Sequence, residues 1–151
     1  GINGKMSEFN AALGLLKLKH LEHALAQRRR VDQTYRRLLA DVPGIRCLPL
    51  NPQGGNYAYF PILVEDGYPL TRDQLVDTLR AQRIHARRYF SPLISEFPMY
   101  RDLPSAGVEN LPVATRAAAR VICLPIYPAL EQAQIQDVVG VVRGHGDRGG
   151  A

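Results

Sequence analysis

Apolar side chains recur at three- and four-residue steps through the first forty residues. They are Phe9, Leu13, Leu16, Leu21, Leu25, Val31, Tyr35, Leu38 and Leu39. This spacing places them on one face of a helix. Ser7 is a suitable N-cap, Glu8 fits the first turn, and Pro43 stops the run. The pattern predicts one continuous helix from Ser7 to about Ala40, long enough to run along a neighbour in the same chain or in another.

The rest of the chain alternates between short strands and short helices. Strands are predicted around residues 45–48, 57–64, 84–90 and 121–124, and helices at 72–82, 113–119 and 131–142. Pro61 indicates that the second strand is an edge strand or carries a bulge. An irregular, proline-containing loop is predicted at 91–110. The glycine-rich residues 144–151 are predicted to be a disordered tail after a domain of residues 1–143.

This order of elements is typical of an α+β fold, with a small sheet of about four strands covered on one face by helices. The chain has 151 residues, of which 46% are hydrophobic and 22% charged, as in soluble globular proteins. That composition excludes a disordered or fibrous protein. No apolar run approaches the ~20 residues that span a bilayer, and no signal pattern is present, so we expect a cytoplasmic protein.

The net charge of +5 is scattered over the chain. Because no zinc-finger spacing, RNP-like pattern or helix-turn-helix accompanies it, we expect no nucleic-acid partner. Cys47 and Cys123 lie in apolar runs and are interpreted as reduced, buried thiols. His20 and His23, one turn apart on the predicted helix, are compatible with a shared metal, but two ligands make a weak site and surface residues are the favoured interpretation. We therefore expect no metal.

Five segments, in order, carry a more specific pattern. They are GINGKMSEFNAALG at residues 1–14, Arg29 with Tyr35, NYAYFP at 56–61, ARRYFSPL at 86–93 and LPIYP at 124–128. Together they resemble the DegT/DnrJ/EryC1/StrS family of pyridoxal-phosphate-dependent nucleotide-sugar aminotransferases, over residues 1 to about 143. The resemblance implies the C-terminal small domain of the aspartate aminotransferase fold type: a long N-terminal helix, then a mostly antiparallel sheet with helices.

The resemblance also implies what the chain lacks. The family's Schiff-base lysine belongs to the large domain, and the lysines present here are Lys5, Lys17 and Lys19. Lys5 stands at a variable position of the first motif. The complete enzyme would transfer an amino group, typically from glutamate, to a keto group of a nucleotide-linked deoxysugar for amino-sugar biosynthesis. We expect pyridoxal phosphate to bind only with the large domain, and this chain alone to be inactive.

Four residues match family site positions. Asn3 matches an asparagine that reaches the cofactor phosphate across a dimer interface; the alternative is that it only shapes the turn before the helix. Arg87, Arg88 and Tyr89 match a segment that approaches the substrate, where guanidinium groups bind a diphosphate or a donor carboxylate. The alternative for the arginines is exposure at a strand end.

The resemblance leaves two kinds of partner open. These are a second copy of the chain, giving a dimer or higher oligomer, and a separately encoded large domain. The alternative function is a non-catalytic, self-associating binding module.

Overall fold

The computed structural model describes residues 4–50, 55–89 and 91–144. Its helices and strands, in chain order, are α1 Glu8–Lys19, α2 Leu21–Leu39, β1 Ile45–Cys47, β2 Phe60–Val64, α3 Arg72–Ala81, β3 Arg87–Arg88, α4 Pro112–Arg120, β4 Val121–Leu124 and α5 Gln132–Val142. Three short 3-10 helices, Ile94–Glu96, Pro104–Ala106 and Val108–Asn110, lie in the loop before α4. None of the helices in these described ranges has the length and apolarity needed to cross a bilayer.

The four strands form one antiparallel sheet in the order β1-β2-β4-β3. Phe60 pairs with Leu124, and Arg87 pairs with Cys123. The predicted α+β fold with a small sheet of about four strands is confirmed. Because β3 is an edge strand of only two residues, its side chains are accessible from outside the sheet.

The hydrophobic core lies between one face of the sheet and helices α2, α3 and α5. Its fully buried members include Val31, Tyr35, Leu39, Phe60, Ile62, Leu75, Leu79, Ile122, Ile135 and Val142. On β2, Phe60 and Ile62 belong to this core, and in β4 their partners Leu124 and Ile122 do too. Side chains at the intervening positions point to the opposite face of the sheet. Helix α4 lies beside that opposite face, where it lines a depression of about 310 Å³ together with Arg46 and Leu63.

Helix α2 is fastened to the sheet by polar contacts as well as by its apolar face. The Tyr35 hydroxyl donates to the Pro125 carbonyl at 3.0 Å, and the Tyr35 and Phe60 ring centroids are 4.9 Å apart. Burial raises the pKa of Tyr35 above its ordinary value, so the hydroxyl stays protonated as a donor. Arg36 donates to the buried Asp32 at 2.7 Å and to the Leu48 carbonyl at 2.6 Å. These contacts fix α2 against β2, the residue after β1 and the residue after β4.

The prediction of one continuous first helix was wrong. The helix breaks at His20 (φ −108°, ψ 5°), which ends α1 and precedes α2. The predicted N-cap is confirmed, since the Ser7 hydroxyl accepts a hydrogen bond from the Asn10 amide. No residue of α1 is buried, whereas α2 buries Val31, Tyr35 and three further residues. The apolar period runs through His20 without a glycine or proline, so the sequence pattern contains no signal for the break.

Two strand predictions also need correction. Pro61 lies in β2, which has β1 on one side and β4 on the other, so β2 is not an edge strand. The pairing of β1 ends at Ile62, however, so at Pro61 the strand has a paired neighbour only in β4. The strand predicted at 84–90 is regular only at Arg87–Arg88, and Phe90 lies outside the described residues.

The cysteines and histidines differ in part from expectation. Cys123 is buried and Cys47 half-buried, and both thiols are free. Burial raises the pKa of Cys123 to about 11 although the Arg87 guanidinium opposes the shift, so the thiol is protonated at neutral pH. His20 stands at the helix break, so it does not share a continuous helix with His23. Of the predicted tail, only Gly144 belongs to the described residues.

Candidate functional site

The predicted substrate residues lie on and next to the edge strand β3. Before the strand, the chain alternates between half-buried Ile84 and Ala86, which pack against the core, and exposed His85 and Arg87. Arg87 pairs with Cys123, whose neighbours Ile122 and Leu124 face the core, so Arg87 points to the opposite face of the sheet. Arg88, the next residue, points to the face that the helices cover. The structure therefore separates the two predicted arginines.

Arg87 lies at a groove of about 860 Å³ between the turn after α3 and helix α5. We call this the α3–α5 groove; its lining includes Arg83, His85, Arg87, Ile126, Leu130 and Asp137. Its volume is within the range of small-molecule sites, which is about 300–1,000 Å³. Within the described ranges, the Arg87 side chain is in no hydrogen bond or ion pair, so its guanidinium is available to an anion.

Arg88 is engaged inside the domain. Its Nε donates to Oδ1 of Asp73 at 2.7 Å, and Nε of Arg72 lies 2.9 Å from the same oxygen. Burial raises the pKa of Asp73, but the two guanidinium groups outweigh it and hold that pKa below its ordinary value. Asp73 belongs to the first turn of α3, so Arg88 connects β3 to that helix. This contact favours the structural interpretation of Arg88.

Tyr89 packs against an aromatic side chain of another segment. Its ring meets that of Tyr59 edge to face, with centroids 5.3 Å apart and planes at 78°. Both rings are more than a third exposed. Tyr59 directly precedes β2, so this contact connects the ends of two segments that the sequence analysis treated separately. Edge-to-face packing fixes the orientation of both rings.

A second contact positions the segment that leads into β2. Arg29 of α2 donates from Nε to the Tyr57 hydroxyl at 3.1 Å, and its guanidinium lies 5.7 Å from the Tyr57 ring centroid. Tyr57 has a positive φ of 49°, which is uncommon for a residue other than glycine. The Arg29 contact therefore holds a strained turn two residues before Tyr59. The sequence analysis singled out Arg29 without assigning it a role.

The described residues do not form a site for pyridoxal phosphate by themselves. That cofactor needs an amine for its covalent attachment, and neither the α3–α5 groove nor the Tyr59–Tyr89 contact contains a lysine. Lys17 and Lys19 lie on the exposed helix α1, and Lys5 is exposed before it. Asn3, the predicted cofactor-phosphate contact, lies outside the described residues. Nor do three His, Cys, Asp or Glu side chains in the described part of the chain come together as metal ligands do.

The sequence profile of the DegT/DnrJ/EryC1/StrS aminotransferase family matches residues 1–143. The chain belongs to this family. Its members include the dTDP-4-amino-4,6-dideoxy-D-glucose transaminase of Escherichia coli, which is 48% identical over 145 residues. That alignment covers 95% of this chain and 39% of the E. coli protein. The dTDP-4-dehydro-2,3,6-trideoxy-D-glucose 4-aminotransferase of Saccharopolyspora spinosa is 32% identical, over 87% of this chain and 32% of that protein.

Solved structures of the family share the fold described above. The crystal structure of DesI in the presence of its TDP-sugar product superposes with a TM-score of 0.85 at 33% identity, covering 98% of this chain and 38% of DesI. A family aminotransferase from Brucella abortus gives 0.81 at 28% identity, with the same coverage. The chain thus spans less than two-fifths of the length of these relatives, and the fold corresponds to part of a family member.

Sequence reasoning missed several residues that the structure brings to this region. Arg83 and His85 line the groove with Arg87, and the alternation of charged and apolar residues over 83–87 was the available signal. Tyr59 lay inside a family segment but had no assigned role. Asp73 gave no signal at all, because its contact with Arg88 depends on the packing of α3 against the sheet.

Proposed function

We propose that this chain is the C-terminal small domain, residues 1–143, of a pyridoxal-phosphate-dependent aminotransferase that acts on a nucleotide-linked keto-deoxysugar, with glutamate as the amino donor. The family's large domain would provide the lysine and most of the cofactor site. The small domain would close the site and contact the nucleotide sugar. Its biosynthetic role would be the formation of an amino sugar.

The observation that carries this proposal is the position of Arg87. It is exposed on an edge strand, on the face of the sheet opposite to α2, α3 and α5, and in the described part of the chain no carboxylate neutralises it. A guanidinium in this state binds phosphate oxygens in a bidentate geometry. The relatives support a nucleotide-sugar substrate, since those from E. coli and S. spinosa are named for dTDP-linked sugars. Tyr89, held by Tyr59, provides an aromatic surface beside Arg87.

Arg88 has a different role in this proposal. Its contact with Asp73 positions β3 on α3, so it would support Arg87 and Tyr89 rather than touch the substrate. Asn3 remains a proposed contact to the cofactor phosphate across a dimer interface. If its amide donates to that phosphate, Asn3→Ala weakens cofactor binding and Asn3→Asp weakens it further by repulsion. If Asn3 only shapes the turn, Asp is harmless, because Asn and Asp behave alike at caps.

A trans-complementation experiment tests the proposal. The chain is mixed with the separately produced remainder of the E. coli relative, and amino transfer between the dTDP-linked amino sugar and 2-oxoglutarate is measured as glutamate formation. We expect activity from the mixture and none from either part. An inactive mixture in which the two parts form a stable complex would contradict the proposal.

The second candidate function is a non-catalytic, self-associating module. The observation in its favour is the exposure of α1: none of its residues is buried, and Phe9 is 80% exposed. Self-association without amino transfer in the same experiment would favour this candidate.

A further inference from the structure

The turn before β2 directs two nearby tyrosine rings to different parts of the domain. Tyr57 meets Arg29 of α2, whose Nε donates to the Tyr57 hydroxyl at 3.1 Å and whose guanidinium lies 5.7 Å from the ring centroid. Tyr59, two residues later, meets Tyr89 instead. Residues two apart on an extended strand point to the same side. The φ of 49° at Tyr57 interrupts the extended chain, so the two rings contact different neighbours.

The backbone conformation at Tyr57 is a second, independent observation. Glycine and asparagine are the usual residues at a positive φ, because a larger side chain strains this conformation. The turn is closed by Asn56, whose Oδ1 accepts from the Ala58 amide at 3.1 Å. Strained positions of this kind persist where the surrounding structure holds them, and they concentrate at functional sites. The contact that holds Tyr57 is the one with Arg29.

The position of Tyr59 determines the surroundings of Tyr89. The residue after Tyr59 is Phe60, which is fully buried and pairs with Leu124 of β4. Tyr59 is therefore fixed on one side by the sheet and on the other by the turn at Tyr57. Its ring meets that of Tyr89, the residue that follows β3, with centroids 5.3 Å apart. Two side-chain contacts and one short turn thus connect α2 to the end of β3.

We propose that Arg29 is a positioning residue for the site of Arg87 and Tyr89: it holds the turn at Tyr57 so that Tyr59 fixes the orientation of the Tyr89 ring. This deepens the proposed function and rests on it for the place of Tyr89 beside the substrate. Arg29 itself does not touch the substrate. A purely structural role of Arg29 predicts a different result, because loss of its contact would then leave the Tyr89 ring in place.

The ring contact is measured in the full 151-residue chain by nuclear Overhauser effects between the ring protons of Tyr59 and Tyr89. We expect Arg29→Gln to weaken these effects at least twofold and to shift the ring-proton resonances of Tyr89. Arg29→Lys, which keeps a cation for the Tyr57 ring, should restore most of the contact. Tyr57→Gly should act like Arg29→Gln, because it removes the contact with Arg29 while glycine suits the backbone.

The matched control is Arg30→Gln. Arg30 is the next residue of α2, and it donates to the Leu130 carbonyl at 2.8 Å in a partly buried contact that does not involve Tyr57. The Arg29–Tyr57 contact is exposed, so Arg29→Gln should lower the thermal midpoint no more than Arg30→Gln does. Only Arg29→Gln should move the Tyr89 ring. Ring contacts that persist in both Arg29→Gln and Tyr57→Gly, or an equal loss in Arg30→Gln, would overturn the proposal.

The same variants are assayed in the complementation mixture, with KM for the dTDP-linked amino sugar measured separately from kcat. A displaced Tyr89 weakens substrate binding without touching the reacting atoms. KM should therefore rise about two- to tenfold in Arg29→Gln with kcat nearly unchanged. Arg29→Lys and Arg30→Gln should stay close to the unaltered chain. An unchanged KM in a variant that has lost the Tyr59–Tyr89 contact would contradict the positioning role.

Failure of this proposal is distinguishable from failure of the proposed function. If the mixture transfers amino groups while the Tyr59–Tyr89 contact survives Arg29→Gln, only the positioning role of Arg29 is wrong. If Arg29→Gln breaks the contact and the unaltered mixture forms a stable complex without activity, the dependence of Tyr89 on Arg29 stands and the aminotransferase proposal is contradicted.

Discussion

Nε of Arg88 lies 2.7 Å from Oδ1 of Asp73, a residue fifteen positions earlier in the chain. This ion pair joins the edge strand β3 to the first turn of α3, where the negative charge of Asp73 also suits the helix dipole. The neighbouring Arg87 has no such partner in the described residues and lies at the α3–α5 groove. Two adjacent arginines of one segment therefore have different surroundings, and the difference follows from the alternation of side chains along a strand.

Replacing Arg88 by glutamine tests this division. Both partners of the ion pair are substantially exposed, at 40% for the Arg88 side chain and 57% for that of Asp73. Solvent screens such pairs, so we expect Arg88→Gln to lower the free energy of unfolding by no more than about 1 kcal/mol. Urea denaturation measures this value. Asp73→Asn should give a larger loss, because it also removes the contact with Arg72 and the charge at the helix N-terminus, and the double variant should lose little more than Asp73→Asn, because the Arg88–Asp73 pair is then already broken. Additive losses would contradict a direct Arg88–Asp73 interaction.

The acid stability of the domain should depend on Glu65. Hydrogen bonds from Arg46 and Arg120 hold the pKa of Glu65 below its ordinary value of 4.5. A carboxyl group with a lowered pKa in the folded state stabilises the fold fully above the unfolded-state pKa, and this contribution is lost as the pH falls through the folded-state pKa. Urea denaturation between pH 7 and pH 3 should therefore show a shallower acid loss in Glu65→Gln than in the unaltered protein. The control is Glu22→Gln, because Glu22 forms no ion pair within the described residues. If stability falls as steeply with acid in Glu65→Gln as in this control, the stabilising role of Glu65 is contradicted.

Helix α1 should mediate self-association. It buries no residue, and Phe9, Leu13, Leu16 and Leu18 are between 45% and 80% exposed. Apolar surface of this extent is uncommon on a monomer. Light scattering at high micromolar concentration should therefore show a dimer or higher oligomer, and Leu16→Glu should shift it towards monomer. Ile94→Glu, a change at an exposed apolar residue of the loop before α4, is the control. A clean monomer of the unaltered chain would refute the prediction.

The sequence predicted those elements whose boundaries are set by neighbouring residues in the chain, and it missed features that depend on distant residues. Helix α3 was predicted almost to the residue, and the structure shows that its start is set locally by a capping box. The Thr71 hydroxyl accepts from the Gln74 amide, and the Gln74 side chain accepts from the Thr71 amide. The break at His20 was not predictable, because the apolar period continues through it and no glycine or proline marks it.

The candidate site shows the same limit. The family segment pointed to Arg87, Arg88 and Tyr89 together, but their separation depends on the register of β3 with β4 and on Asp73. Tyr59 reaches Tyr89 only because β2 and β3 both pair with β4. Such long-range pairings cannot be deduced from the periodicity of one strand.

The isolated chain should not attach pyridoxal phosphate covalently at one site. Lys5, Lys17 and Lys19 are all exposed, in or before α1, and none lies at the α3–α5 groove. After incubation with the cofactor and reduction with borohydride, peptide mass spectrometry should find scattered, substoichiometric labelling of these lysines. A single stoichiometric adduct on one of them would contradict the dependence on a large domain.

The most direct test of the account is a hybrid enzyme in which residues 1–143 of this chain replace the corresponding segment of the E. coli transaminase. The steady-state rate of amino transfer between the dTDP-linked amino sugar and 2-oxoglutarate is measured for the hybrid and for its Arg87→Gln and Arg88→Gln variants. The account predicts an active hybrid. A lost charge-assisted hydrogen bond of about 1.5–3 kcal/mol should raise KM for the nucleotide sugar roughly ten- to a hundred-fold in Arg87→Gln, with Arg88→Gln nearly unchanged. A folded hybrid without amino transfer, or one in which Arg88→Gln raises KM more than Arg87→Gln, would contradict it.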